Sequence, residues 1–266
     1  MMYFLSVVLI GTIYPIFLDV LSSQKISVGP PFYHKLIIPF LIPFLLIMAI
    51  GPKLNWIKSN LEEKKHLILF LIISVLISAI IVINLNSNFL INTILVSSAL
   101  YLFFVTVRDS FSKKYKNISQ NISHIGFSLL ILSILLNNIS SSEIITNLKV
   151  GETFEINKTK IIFKSINQKE EKNYKSIKGT FVIQNLDGIQ NKMYPELRIY
   201  NQPNIVTSEA DIKTTLISDK FIVINLVQNQ DYFNIRYQVK PFMIWIWFSV
   251  VLISFGGLIS LVKKRI

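Results

Sequence analysis

The sequence has 266 residues, 52% of them hydrophobic, and several of its uncharged apolar runs reach or approach membrane-spanning length. A helix needs about 20 apolar residues to cross a bilayer, so the composition indicates a polytopic membrane protein. The formal net charge of +12 would suggest a nucleic-acid partner in a soluble protein. The absence of cysteine excludes disulfides and thiolate metal sites.

The positions of the basic residues argue against nucleic-acid binding. Eleven of the 27 lysines and arginines fall in two short loops and the C-terminal tail. Loops rich in lysine and arginine stay on the cytoplasmic or matrix side, so we interpret the charge as a topology signal. The eleven residues are Lys53, Lys58, Lys64, Lys65, Arg108, Lys113, Lys114, Lys116, Lys263, Lys264 and Arg265.

Four apolar segments come first, at about 2–18, 36–50, 67–83 and 89–107. The loop 19–35 is poor in basic residues and contains Gly29-Pro30-Pro31, which favours a stiff extended turn on the outer side. Gly51-Pro52 is a helix-stop pair at the end of the second segment, and Trp56 follows as an expected aromatic at the inner interface.

The fifth segment, 121–137, contains His124, the one ionisable residue that we place inside a membrane segment. Such residues are costly in lipid and are functional candidates by default. Counted from Asn117, His124 is the eighth residue, about 10 Å along a helix of ~1.5 Å rise per residue. The alternative is a histidine that only hydrogen-bonds to a neighbouring helix.

Residues 138–240 carry frequent charges and short β-type apolar runs, which predict a small all-β domain outside the membrane. The predicted strands are 153–156, 160–166, 180–184, 197–200, 221–227 and 233–239. Residues 222–224 are apolar on both faces, so we expect their strand to be fully buried. A last segment, 241–262, opens with Trp245 and Trp247 at the outer interface.

The predicted fold class is a mostly α polytopic membrane protein, with about six transmembrane helices and one extracytoplasmic all-β domain. We assign 1–137 to a five-helix membrane region and 138–240 to the β domain. Residues 241–266 form the final transmembrane helix and a basic cytoplasmic or matrix tail.

Several motifs together resemble one family, CcmF, the haem lyase subunit of the cytochrome c maturation system. Their order and spacing over nearly the whole chain carry the resemblance. The matching stretches are 11–15 (GTIYP), 25–32 (KISVGPPF), 51–52 (GP), 124–126 (HIG), 179–181 (GTF), 195–200 (PELRIY), 208–212 (SEADI), 240–247 (KPFMIWIW) and 256–257 (GG).

The resemblance covers only the C-terminal part of the family's protein, and the family's tryptophan-rich haem-handling signature is absent. It implies that His124 is one of two histidines that ligate a b-type haem inside the membrane. The other ligand has no counterpart here, so the chain resembles one half of a split protein and should not complete a haem site alone.

The resemblance also implies a function: attachment of haem to apocytochrome c through thioether bonds, as part of a haem lyase complex that is inactive without its other subunits. The implied partners are the tryptophan-rich N-terminal half, other cytochrome c maturation subunits, apocytochrome c, substrate haem and the lipid bilayer, but no nucleic acid. The implied location is the mitochondrial inner membrane or a bacterial inner membrane, with the β domain on the intermembrane-space or periplasmic side.

Two other classes of function stay open: a non-catalytic membrane assembly scaffold and a permease-type subunit. Glu196, Arg198, Glu209 and Asp211 in the β domain invite a catalytic role. Surface salt bridges and strand-edge charges are the commoner use of such residues, so we assign no catalytic residue.

Overall fold

The computed structural model describes residues 2–22, 26–54, 64–85, 87–112, 117–156, 159–184, 190–227 and 231–263. Some residues of the topology argument lie outside these ranges: Trp56, Lys58, Lys113, Lys114, Lys116, Lys264 and Arg265. The chain forms two compact units, one of Met1–Leu135 with Ser249–Ile266 and one of Leu136–Phe248.

Within the described ranges, six helices are long and apolar enough to cross a membrane, and this confirms the predicted fold class. They are α1 (Met2–Ser22), α2 (Pro30–Ile50), α3 (Lys64–Asn84), α4 (Phe89–Phe111), α5 (Ile118–Ser140) and α6 (Met243–Lys263). A 3-10 turn, Gly51–Lys53, follows α2 at the predicted helix stop.

The helices run further than the apolar segments because polar residues at a helix end can face the water at the membrane surface. α2 begins at Pro30, with Gly29 as an extended N-cap, and therefore includes His34. α4 continues to Phe111 and includes Arg108 and Asp109. The ends of α2 and α4 thus carry ionisable residues, and the placement of His124 as the one ionisable residue inside a membrane segment stays a prediction.

The first unit has its core between α2, α3 and α4, and α4 is the most buried of the described helices. The core side chains are Leu45, Ala49, Leu67, Ala99, Tyr101, Leu102 and Val105. On the other side of α2, Gly11 of α1 lies against the ring of Tyr33, where an added Cβ would be 2.8 Å from Cε1. Gly11 thus permits close packing of α1 on α2.

The second unit is a β-sandwich of two antiparallel sheets, in the orders β1-β10-β9-β8 and β2-β3-β4-β6-β7, with β5 paired to β4. The strands are β1 (Ser142–Leu148), β2 (Thr153–Ile156), β3 (Thr159–Glu170), β4 (Tyr174–Gln184), β5 (Gln190–Met193), β6 (Glu196–Tyr200), β7 (Val206–Glu209), β8 (Asp211–Thr214), β9 (Ser218–Leu226) and β10 (Phe233–Pro241).

All six predicted runs lie inside strands, except that residue 227 follows the end of β9. Most of the strands extend beyond the predicted runs, and β4 begins six residues before its run. The structure differs at β9, where Ile222 and Ile224 are buried but Val223 is half-buried, so this strand is not fully enclosed. It also differs at Pro241, which pairs with Ser218 at the end of β10 rather than opening the last helix. Phe163 and Phe181, stacked at 4.4 Å between ring centroids, stand at the centre of the sandwich.

Candidate functional site

His124 lies in the seventh position of α5, about 9 Å from the start of the helix at ~1.5 Å rise per residue. Its side chain is half-buried, whereas His34 and His66 are exposed. His34 precedes the end of α2 by 16 residues, which is about 24 Å of helix. Of the three histidines, His124 is therefore the one with an interior environment.

One face of α5 packs on α6 through small residues. A Cβ on Gly126 would lie 2.9 Å from Ile253 Cγ1 and 3.0 Å from the backbone nitrogen of Ile253. A Cβ on Gly256 of α6 would lie 2.9 Å from the carbonyl oxygen of Ser119, and the Ser119 hydroxyl donates to the Gly256 carbonyl at 2.7 Å. Small residues of this kind let membrane helices approach closely.

His124 is on a different face from Gly126, because residues two apart in a helix point in nearly opposite directions. It shares its face with Phe127 and Ile131, which follow it by three and seven positions. Both pack against the core formed by α2, α3 and α4, and the ring of Phe127 lies 6.0 Å from that of Phe44. The histidine is therefore placed on the interior face of α5.

A buried ion pair lies in the same unit, between the end of the 3-10 turn and the last turn of α4. Lys53 Nζ donates to Asp109 Oδ1, and the residues are 7% and 5% exposed. Asp109 also interacts electrostatically with His124 and with Tyr101. This cluster brings the carboxylate of α4 into the electrostatic environment of His124.

The sequence did not predict this pair, because Lys53 was assigned to the basic residues of the short loops. Its side chain is in fact buried, so Lys53 contributes to packing and pairing as well as to the basic loop. The available signal was Asp109 itself, an acidic residue directly after an apolar run and within a loop that is otherwise basic.

The described residues offer one half-buried histidine that could ligate a haem. They contain no group of three or more histidine, cysteine, aspartate or glutamate residues that could hold a metal ion. A neutral imidazole is a common axial ligand of haem iron. The half-buried imidazole of His124 on an interior helix face suits that role.

Three of the four charged residues singled out in the β domain form salt bridges, and the fourth, Asp211, accepts a backbone hydrogen bond. Glu196 accepts hydrogen bonds from Arg198 at 3.1 Å and from the Ser176 hydroxyl at 2.6 Å, and Arg198 also lies 4.0 Å from Glu209. The hydrogen bond from Arg198 holds the pKa of Glu196 below its usual range. Asp211 accepts the backbone N–H of Tyr194. These contacts stabilise the β domain.

The chain is similar in sequence and in fold to known proteins. The family model described as the CcmF C-terminal β-sandwich matches residues 139–241. The cytochrome c-type biogenesis protein CcmF of Pseudomonas fluorescens is 28% identical, over 98% of this chain and 42% of that protein. CcmF of Escherichia coli strain K12 is 23% identical, over 97% of this chain and 41% of that protein.

The fold also resembles a solved structure, the cytochrome c haem lyase CcmF, with a TM-score of 0.70 at 17% identity. The match covers 96% of this chain and 43% of the solved chain. This likeness shows the fold. The chain thus spans about two fifths of the length of the relatives that it matches. The chain is similar along nearly its whole length to the C-terminal part of the CcmF proteins, as its motifs predicted.

Proposed function

We propose that this chain acts in cytochrome c biogenesis as the C-terminal part of a membrane haem lyase, with His124 as one axial ligand of an intramembrane haem b. The similarity to CcmF proteins supports the general function. The observation that carries the ligand assignment is the half-buried His124 on the interior face of α5.

The chain's own residues have distinct roles in this proposal. His124 offers the lone pair of a neutral imidazole nitrogen to the iron. Gly126 and Gly256 set the separation of α5 and α6 and so orient the imidazole. A haem b held there would supply electron transfer, through which the iron of the substrate haem could be kept reduced.

The second axial ligand and the haem-handling tryptophans come from outside this sequence, from the tryptophan-rich N-terminal part of the lyase. Both thiols come from apocytochrome c, since this chain has no cysteine. Other cytochrome c maturation subunits complete the assembly. The protein works in a bacterial or mitochondrial inner membrane, with the β domain on the periplasmic or intermembrane-space side.

The test is the absorbance of b-type haem in the purified lyase complex. Substituting His124→Ala should remove most of the b-type haem and most cytochrome c maturation, while the chain stays in the membrane. His34→Ala and His66→Ala are matched controls, because both side chains are exposed, and both variants should keep haem and activity. Equal losses from all three substitutions would contradict the ligand assignment.

The same measurement separates the other two functional classes. A permease-type subunit or an assembly scaffold would carry no haem that depends on His124, and His124→Gln would be harmless in either.

The chain produced without the rest of the lyase should bind haem weakly, because the second histidine and the part of the pocket that the other half would supply are missing. Co-expression with the tryptophan-rich part should restore binding. Stoichiometric bis-histidine haem in the isolated monomeric chain would contradict the shared site.

A further inference from the structure

The turn between β8 and β9 exposes two aliphatic side chains next to the start of α6. Leu216 and Ile217 are each 71% exposed, more than any other large apolar residue described in Leu136–Phe248. The turn lies at the end of the sheet where Ser218 pairs with Pro241, two residues before the start of α6 at Met243. Such exposure is costly in water, at about 25 cal/mol per Å² of apolar surface.

This turn is held rigidly to α6. The indole nitrogen of Trp245 donates to the Leu216 carbonyl at 3.0 Å, and the backbone N–H of Phe242 donates to the Ile217 carbonyl at 2.8 Å. Phe242 has φ of 62°, a conformation that is strained for a bulky residue and persists where its surroundings hold it. The turn therefore has a fixed position at the corner between β10 and α6.

The turn and the first two turns of α6 enclose an apolar groove of about 180 Å³, lined by Leu216, Ile244, Trp245 and Phe248. One wall of the groove is thus a membrane-spanning helix at the level where tryptophan residues mark the membrane interface. A groove continuous with the lipid-facing surface of such a helix meets acyl chains.

Two lysines lie directly behind the turn. Lys213 of β8 and Lys220 of β9 are opposite each other in the sheet, an arrangement of like charges that is unfavourable on its own. Lys220 is three residues from Ile217, about 10 Å along a strand. An apolar tip of this kind can enter the membrane interface, and cations about 10 Å behind it can then interact with anionic lipid headgroups.

We propose that residues 215–217 enter the bilayer interface beside α6 and that the groove holds a lipid acyl chain. The β domain would then contact the membrane at a third point, in addition to the ends of α5 and α6. The inference does not depend on haem binding by His124.

The test uses the absence of native cysteine in the full-length chain. Leu216→Cys and Ile217→Cys variants each receive a nitroxide spin label and are reconstituted in nanodiscs of mixed zwitterionic and anionic phospholipids. Val150→Cys is the matched control, since Val150 is 48% exposed and follows Leu148, at the end of β1 away from Ser142 and Val239. Collisions with oxygen report lipid, and collisions with a nickel chelate report water.

We expect labels at 216 and 217 to collide readily with oxygen and several-fold less with the nickel chelate than the label at 150. Nickel collisions at 216 and 217 equal to those at 150 would overturn the proposal. Protection from both reagents would also overturn it, because that result means that protein rather than lipid covers the tip.

Discussion

Lys53 and Asp109 hold opposite charges in a part of the first unit that is closed to water, with side chains 2% and 7% exposed. Removing one partner of a buried pair leaves an uncompensated charge, which costs about 3–5 kcal/mol, whereas removing both is far less costly. The pair joins the end of α2 to the end of α4, so its integrity also bears on the helices around His124.

We predict that Lys53→Met strongly destabilises the chain and that adding Asp109→Asn recovers part of the lost stability. The single change should lower the free energy of unfolding by about 3 kcal/mol, measured by circular dichroism during denaturation in detergent. Lys64→Met, at an exposed lysine, is the control and should change little. Strictly additive effects of the two substitutions would show that the residues do not interact.

Among the helices, α5 and α6 pack closely at Gly126 and at Gly256, and the neighbouring glycines of α6 differ sharply in this packing. A Cβ at Gly256 would press on the Ser119 carbonyl oxygen and the Ser123 backbone nitrogen, both at 2.9 Å. A Cβ at Gly257 would meet nothing within 4 Å. Of the two glycines in the motif, Gly256 is thus the one required for packing.

We predict that Gly256→Val separates α5 from α6 and costs about 1–3 kcal/mol through overpacking. Gly257→Val should be neutral or slightly stabilising, since glycine weakens a helix interior. Thermal unfolding of the two variants in the same detergent compares them directly. A similar melting temperature for both would mean that this contact does not hold the helices together.

The elements show what sequence patterns can and cannot predict. The long apolar runs predicted the six described helices, and short β-type apolar runs predicted six of the described strands. The strands missed were β5, β7 and β8, each four residues long with at most one buried residue, together with β1, which begins two residues after α5. Short strands of this kind form because neighbouring strands pair with them, and a local sequence pattern does not predict that pairing.

The candidate site, too, was predicted only in part from the sequence. His124 was predicted because an ionisable residue in an apolar run is conspicuous. The ion pair of Lys53 and Asp109 was not predicted, because residues 56 positions apart meet only through helix packing.

For the whole molecule, the distribution of basic residues predicts the orientation in the membrane. Reporter fusions after Lys58 and after Lys116, both outside the described residues, should report the cytoplasmic or matrix side. A reporter at Asn173, in the turn between β3 and β4, should report the opposite side. An opposite-side signal at Lys116 would reverse α5 and contradict the proposed orientation.

The most direct test of the central claim is chemical replacement of the His124 side chain in the purified lyase complex. With His124→Ala, added imidazole can occupy the vacated position on the iron. The account predicts that the b-type haem spectrum is lost in this variant and recovers as imidazole is added, with no such response in the His34→Ala complex. A haem spectrum that is unaffected by His124→Ala would show that His124 is not a ligand.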